Sequence, residues 1–86
     1  MAALDILYFA WVREAIGRDG ERIDAVDPAV TVADLVGALA GRGGGYAEAL
    51  GDIERLRAAL DQHFVAFDAV IGSARELAIF PPVTGG

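Results

Sequence analysis

A six-residue stretch near the start of the sequence, residues 4–9, is apolar on both of its faces. Side chains alternate between the two faces of a strand. The two sets here are Leu4, Ile6 and Tyr8 on one face and Asp5, Leu7 and Phe9 on the other. A half-exposed strand shows one polar face, whereas a strand covered on both sides is apolar on both. Residues 4–9 are therefore predicted to form a central strand.

A short helix and a second strand are predicted next. Residues 10–17 would form a helix whose inner side carries Val12 and Ile16. We interpret Trp11, at the edge of this helix, as part of the core rather than as a platform for stacking a ligand. After an Asp-Gly turn, residues 21–26 alternate charged and apolar side chains, as a half-exposed edge or hairpin strand does.

A capped helix follows. Thr31 is a typical N-cap and Asp34 stands three positions later, as in a capping box. The predicted helix covers residues 32–40 and buries one stripe, Val32, Leu35, Val36 and Leu39. The glycine-rich residues 41–45 are interpreted as a flexible connector. A phosphate-binding loop is not indicated there, because no strand precedes the glycines and no Lys, Ser or Thr follows them.

The second half of the chain is predicted to form short strands and turns. We predict a helical turn at 46–51, a loop at 52–54, strands at 57–60 and 63–66 joined by an Asp61-Gln62 turn, a loop at 68–75 and a last strand at 76–80. This order is an α+β pattern rather than a regular βαβ alternation. We assign residues 1–80 to one domain and residues 81–86 to an extended, flexible tail.

The composition excludes many catalytic sites. The 86 residues contain no Cys and no Lys, one His (His63) and one Ser (Ser73). Thiol catalysis, thiolate metal sites, lysine Schiff bases and Walker A loops are therefore impossible. We interpret His63 as a surface residue at a strand end, since no metal-ligand partners are spaced around it, and we predict no metal site.

The charge and hydropathy indicate the surroundings in which the chain works. A net charge of −6 argues against binding nucleic acid and favours a basic protein partner. No apolar run approaches the roughly 18 residues of a membrane span. We also find no pattern of a secretory signal, so no membrane association is predicted and the expected location is the cytoplasm.

The sequence ends in Phe-Pro-Pro-Val-Thr-Gly-Gly, residues 80–86. Two successive prolines cannot continue a helix or a sheet ladder. From Pro81 to Gly86 the chain can reach roughly 20 Å at about 3.3 Å per residue. Glycine has no Cβ, so a diglycine end fits a narrow channel and leaves its carboxylate open to a nucleophile. This ending predicts acyl-transfer chemistry at Gly86, inside a deep site of another protein.

This ending, on a short acidic domain, resembles that of the small subunits of molybdopterin synthase, which are ubiquitin-like sulfur carriers. The similarity extends to Ile6-Leu7-Tyr8-Phe9-Ala10, to Val12-Arg13-Glu14 and to the helix start at Thr31-Val32. It implies a β-grasp fold, in which a mixed sheet packs on one main helix and its first and last strands lie parallel at the centre. Residues 73–76, Ser-Ala-Arg-Glu, differ from the acidic Asp-Gly-Asp-Glu turn of relatives.

The resemblance also implies a mechanism. An E1-like adenylyltransferase would consume ATP to adenylate Gly86, and a sulfur donor would replace AMP to leave a thiocarboxylate. The large synthase subunit would then use that sulfur on cyclic pyranopterin monophosphate, with no cofactor bound stably by this chain. Gly85 and Gly86 form the reacting end. The residues implied to face partners are Phe9, Arg13, Phe64, Phe80, Pro81, Pro82, Val83 and Thr84.

Two other functions remain open at the level of sequence. A thiamine-type sulfur carrier or a ubiquitin-like protein modifier would share the diglycine end. An acidic interaction module without acyl chemistry would share the charge alone. Each of Phe9, Phe64 and Phe80, taken by itself, fits a core or scattered surface position as well as a partner contact.

Overall fold

The computed structural model describes residues 2–82. Its strands are β1 (Ala2–Tyr8), β2 (Gly20–Val26), β3 (Arg57–Leu60), β4 (His63–Val65) and β5 (Glu76–Phe80). Its helices are α1 (Ala10–Ile16), α2 (Val32–Ala40) and α3 (Gly44–Leu50), with a 3₁₀ turn at Ile53–Arg55. The strands form one mixed sheet in the order β2-β1-β5-β3-β4. The α+β prediction is confirmed.

Strand β1 lies inside the sheet, antiparallel to β2 and parallel to β5. Its central position and its parallel pairing with the last strand are both confirmed. Leu4, Ile6 and Tyr8 are at most 1% exposed, and Leu77 and Ile79 of β5 are 0% exposed. Burying one such side chain contributes about 1.5–3 kcal/mol. This face of the two central strands is therefore the middle of the core.

Helix α1 covers that face directly after β1. Val12 is fully buried, while Trp11 and Ile16 are half-buried against the core, as predicted. The helix ends at Gly17, whose φ of 88° lies in the left-handed region that glycine adopts without strain. The Gly17 N–H donates to the Arg13 carbonyl at 2.8 Å, which satisfies one carbonyl of the last turn.

Helix α2 begins with the predicted capping box. The Asp34 N–H donates to Thr31 Oγ1 at 3.0 Å, and the Thr31 N–H donates to Asp34 Oδ2 at 3.1 Å. These two bonds satisfy backbone donors that have no partner inside the helix. Of the predicted stripe, Val32, Val36 and Leu39 are buried and Leu35 is half-buried. The predicted helix and its inner face are confirmed.

The glycine-rich segment differs from the prediction of a connector. Only residues 41–43 connect helices, because α3 already begins at Gly44. Gly45 is required there by close packing, since a Cβ on it would overlap the carbonyl oxygen of Ala15 in α1. The predicted loop at 52–54 also includes part of the 3₁₀ turn Ile53–Arg55. In both places tertiary contacts decide the structure of a segment with weak local preferences.

The two edges of the sheet were predicted more closely. At one edge β2 pairs only with β1, and its ladder is interrupted near Ala25, which has a φ of 58°. At the other edge β3 and β4 form a hairpin through Asp61 and Gln62, with φ of 48° and 70°. Two left-handed residues in a two-residue turn are typical of a type I′ hairpin. The Asp61-Gln62 turn is confirmed.

Candidate docking face and tail root

The sheet has one face covered by the helices and one face, here called the outer face, that carries the alternate side chains. The register places four of these in one row, because Leu7 lies opposite Ala78, Ala78 opposite Ala59, and Ala59 opposite Phe64. Phe64, at the end of this apolar row, is 82% exposed. An apolar row across four strands that ends in an exposed aromatic ring is typical of a surface that another protein covers.

The outer face is divided into an apolar part and a charged part. Toward the start of β1 the row of paired residues is charged, with Arg22 opposite Asp5 and Asp5 opposite Glu76. Arg22 Nε also donates to Asp5 Oδ1 at 3.0 Å. Toward the end of β1 and β5 the row is apolar. The apolar part therefore lies at the end of the sheet from which the tail leaves.

Phe64 and Phe80 form a groove at this end. Their ring centroids are 5.7 Å apart with an interplanar angle of 45°. The open groove has a volume of about 310 Å³ and is lined by Phe64, Phe80, Arg57, Ala58 and Val65. Tilted rings at this separation attract each other and hold both side chains in place. We call this depression the phenylalanine groove.

The tail begins directly beside the phenylalanine groove. Phe80 is the last residue of β5 and lies opposite Arg57 in the ladder with β3. Pro81 and Pro82 follow and are half-buried. Val83 and Thr84, which are predicted to face partners, and Gly85 and Gly86, which are predicted to carry the chemistry, lie outside the described residues. Phe80 therefore marks the point where the central sheet gives way to the tail.

Phe9 and Arg13 do not line the phenylalanine groove. Phe9 continues β1 in an extended conformation, with φ −127° and ψ 154°, so by alternation it follows Leu7 on the outer face, and it is 45% exposed. Its N–H donates to the Ile79 carbonyl at 3.2 Å. Arg13 lies one turn into α1 and forms a 3.7 Å ion pair with Asp19. Phe9 thus shares a face with Phe64 and Phe80, whereas Arg13 is placed on a helix.

Sequence reasoning did not find Arg57, Ala59 or Ala78 as part of this surface. Their place depends on the register among β1, β5, β3 and β4, and nothing in a single strand reports which residue of another strand will lie opposite. Strand alternation was the available signal, because it separates Ala59 and Ala78 from the core-facing Ala58 and Ile79. Alternation alone does not predict which residues of neighbouring strands lie opposite one another.

A second polar cluster lies on the opposite, core-facing side and centres on Glu21. Its Oε2 accepts hydrogen bonds from Tyr8 at 2.8 Å and from Tyr46 at 2.6 Å, and its Oε1 accepts one from Arg42 at 2.7 Å. The Glu21 side chain is only 10% exposed. The alternation in β2 predicted a half-exposed strand, but Glu21 lies opposite Ile6, where α3 covers it through Tyr46. The cluster ties α3 to the sheet.

The hydrogen bonds of this cluster shift the pKa values of its members. Burial would raise the pKa of Glu21, but hydrogen bonds from Tyr46, Arg42 and Tyr8 outweigh it and hold that pKa below its ordinary value. Burial, together with the bond to Glu21, raises the pKa of the Tyr8 phenol. At neutral pH Glu21 is therefore a carboxylate and Tyr8 a neutral hydrogen-bond donor.

Residues 2–82 contain no group of three or more His, Asp or Glu side chains placed to hold a metal ion. Within the same part of the chain, no helix has both the length and the apolar character needed to cross a membrane.

Parallel first and last strands at the centre of a mixed sheet, with helices on one face, define the class of ubiquitin-like β-grasp domains. The solved structures agree: SAMP1 of Haloferax volcanii superposes with a TM-score of 0.68 at 27% identity, covering 99% of this chain and all (100%) of that one. The chain belongs to the ThiS family, whose family model matches residues 6–86.

Two proteins with similar sequences are molybdopterin synthase sulfur carrier subunits. The protein of Escherichia coli is 41% identical over 83 residues, covering 96% of this chain and 99% of the relative. The protein of Haemophilus influenzae is 35% identical with the same two coverages, 96% and 99%. These findings confirm the β-grasp fold and the resemblance to the small subunits of molybdopterin synthase.

Proposed function

We propose that this protein is the sulfur-carrier subunit of a molybdopterin synthase and carries its sulfur as a thiocarboxylate on Gly86. The observation that carries the proposal is the similarity over 96% of the chain to two such subunits. The position of the tail supports it, because the Pro-Pro segment starts at the end of a central strand, beside an exposed apolar surface. A partner that covers this surface is then in position to receive the tail.

The chemistry requires little from the chain beyond its terminal carboxylate. In the proposed sequence, a Gly86 carboxylate oxygen attacks the α-phosphorus of ATP and pyrophosphate leaves. A sulfur nucleophile then adds to the acyl carbon and AMP leaves, which places sulfur on the glycine. Glycine leaves that carbon unhindered. The chain has no Cys and no Lys to capture the activated acyl group itself, so the sulfur remains on Gly86.

Two partner proteins follow from this proposal. An E1-like adenylyltransferase would hold the ATP and activate Gly86, and Gly85 would enter its channel together with Gly86. The large synthase subunit would cover the outer face and receive Val83 and Thr84 of the tail, delivering sulfur to cyclic pyranopterin monophosphate. ATP is consumed by the activating enzyme, and the cytoplasm, where ATP is abundant, is the proposed compartment.

The proposal is tested by mass spectrometry of the intact protein. The chain is incubated with the activating enzyme of the same organism, ATP and a sulfur source. We expect a mass increase equal to the replacement of one oxygen by one sulfur, located by fragmentation at Gly86. A chain truncated after Pro82 serves as the control and should gain nothing. Sulfur found elsewhere, or no mass change with an enzyme shown to be active on another carrier, would refute the proposal.

A second candidate function is protein modification, which one comparison favours. SAMP1 of Haloferax volcanii, a small archaeal modifier protein, superposes over nearly all of this chain at 27% identity. A modifier would use the same activated Gly86 but pass it to a lysine amine of a target. Tryptic digests of cell extracts distinguish the two functions. Trypsin cleaves this chain last after Arg75, so only a modifier leaves residues 76–86 as a remnant on target lysines.

A further inference from the structure

The seven arginines of the chain differ in how their charges are balanced. Four of them form ion pairs within the described residues, namely Arg13, Arg18, Arg22 and Arg42. Arg55 stacks on the Trp11 ring at 5.0 Å. In the described part of the chain, the two remaining arginines, Arg57 and Arg75, have neither a carboxylate within ion-pair distance nor an aromatic ring beneath them. Within residues 2–82, no carboxylate neutralises these two guanidinium groups.

Arg57 is placed differently from Arg75. It is exposed, opens β3 and lies directly opposite Phe80, so it belongs to the outer face and lines the phenylalanine groove. Its Nη1 donates to the Leu56 carbonyl at 2.8 Å, which holds the guanidinium near the start of β3. Guanidinium has five N–H donors. The described residues engage one of them, so the group can bind a further acceptor while it remains in place.

We propose that Arg57 is a specificity-determining residue of the docking face and pairs with a carboxylate that the large synthase subunit presents beside its apolar contact with Phe64 and Phe80. This inference rests on the proposed function. A partner that covers Phe64 and Phe80 also removes water from Arg57. A guanidinium that loses water without a counter-charge is costly to bury, whereas a carboxylate can bind it through two parallel hydrogen bonds.

The charge of the whole chain supports a carboxylate at this one place. With a net charge of −6, the carrier is expected to meet a partner surface that is mostly basic. A carboxylate facing Arg57 would then be an exception within a basic surface, and it would fix the register in which the two surfaces meet. A basic partner surface that lacked this carboxylate would place its own positive charges against Arg57, and this repulsion would disfavour binding of the carrier.

The proposal is tested by the direction in which one substitution changes the affinity for the large subunit. Arg57→Met keeps the length and apolar stem of the side chain and removes its charge. If a carboxylate lies opposite, the variant should bind the large subunit at least about tenfold more weakly, because the partner's charge is left buried and unpaired. If none lies opposite, binding should be unchanged or tighter, because the cost of burying a charge has been removed. The second result would overturn the proposal.

Binding is measured by calorimetry with the purified large subunit of the same organism, at low and high salt. Arg75→Met is the matched control, since it changes the net charge by the same unit on an exposed arginine at the opposite end of β5, and it should bind like the wild type. Arg57→Lys should recover part of the loss, while Arg57→Glu should lose on the order of a hundredfold or more. Melting curves of all variants should agree.

Three outcomes separate this inference from the proposed function. If wild type, Arg57→Met and Arg75→Met all fail to bind the large subunit, the proposed function itself is wrong. If both Met variants bind equally well, only the role of Arg57 is wrong. Dimerisation of the carrier alone, detected by sedimentation and abolished in Arg57→Met, would assign the carboxylate to a second copy of the chain and overturn the proposal.

Discussion

Glu21 shows how much one carboxylate can hold together in a small domain. It accepts hydrogen bonds from Tyr8, Tyr46 and Arg42, which come from β1, α3 and the turn before α3. Glu21→Gln keeps the shape of the side chain but replaces a charged acceptor with a neutral amide. We expect a loss of about 1–3 kcal/mol in the free energy of unfolding at neutral pH, the usual effect of weakening a charged, buried hydrogen-bond centre. Urea titration measures it, with the exposed Glu48→Gln as the control.

The same variant should remove part of the acid sensitivity of the protein. The folded-state pKa of Glu21 lies below its ordinary value of 4.5. The stabilisation is thus complete above 4.5 and is lost as the pH falls from there through the folded pKa. The difference in stability between wild type and Glu21→Gln should shrink over that interval. A difference that stays constant down to the acid unfolding of the wild type would contradict the assigned carboxylate role.

Phe64 offers a test of the docking face that leaves the core untouched. Because its side chain is 82% exposed, Phe64→Ala should change the free energy of unfolding by less than about 1 kcal/mol. Binding to the large subunit should weaken by about 1–3 kcal/mol if the ring is an anchor. Val70→Ala is the control, since Val70 is also apolar and 54% exposed but lies on the loop between β4 and β5. Equal effects of both substitutions on calorimetric affinity would argue against a localised docking face.

At the scale of the elements, two glycines give opposite predictions for the same substitution. Gly37 lies within α2 and has open space where a Cβ would be, so Gly37→Ala should stabilise the protein by up to about 1 kcal/mol through helix propensity. Gly45 lies within α3, where a Cβ would overlap the Ala15 carbonyl, so Gly45→Ala should destabilise by about 1–3 kcal/mol through overpacking. Thermal melting curves of the two variants, each compared with the wild type, test both predictions. Stabilisation by both would show that α1 and α3 do not pack as closely as described.

These glycines also show where prediction from sequence stops. The strands, the capped helix α2 and the Asp61-Gln62 turn follow from alternation, capping and turn chemistry, which are local properties. The start of α3 at Gly44 could not be predicted, because glycine has a poor helix propensity and the helix depends on contact with α1. The inward position of Glu21 was missed for a similar reason, since its partners Tyr8 and Tyr46 are distant in the sequence.

At the scale of the whole molecule, the sheet brings distant parts of the chain to one end. Phe64 and Phe80 come together because β3 pairs with both β4 and β5, and Phe9 reaches the same face because β1 runs parallel to β5. The resemblance to the family had already indicated all three phenylalanines as residues that face partners. The charged row around Asp5 and the position of Arg57 needed the register of the sheet. The molecule thus separates a core-facing side that gives stability from an outer side that is free to bind.

The tail should be separable from the fold in the same way. Every buried residue that the structure describes lies between Leu4 and Ile79, so changes at Gly86 should shift the free energy of unfolding by no more than about 0.5 kcal/mol. Sulfur loading should respond sharply. Gly86→Ala puts a methyl group beside the reacting carbon, and a misplacement of about 1 Å can cost on the order of a hundredfold in rate. Two added residues after Gly86 should abolish loading, because the carboxylate is then displaced from the adenylation site.

Both effects are measured as the rate of thiocarboxylate formation with the purified activating enzyme, beside a melting curve for each variant. Val70→Ala is the control, because Val70 is exposed on the loop between β4 and β5 and lies outside the tail, and this variant should load at close to the wild-type rate. A chain with two residues added after Gly86 could still be loaded with sulfur at the normal rate, with its extension shown to be intact by mass. That result would exclude Gly86 as the residue that carries the sulfur. A fall in melting temperature in parallel with the loading rate would instead show that the tail contributes to the fold.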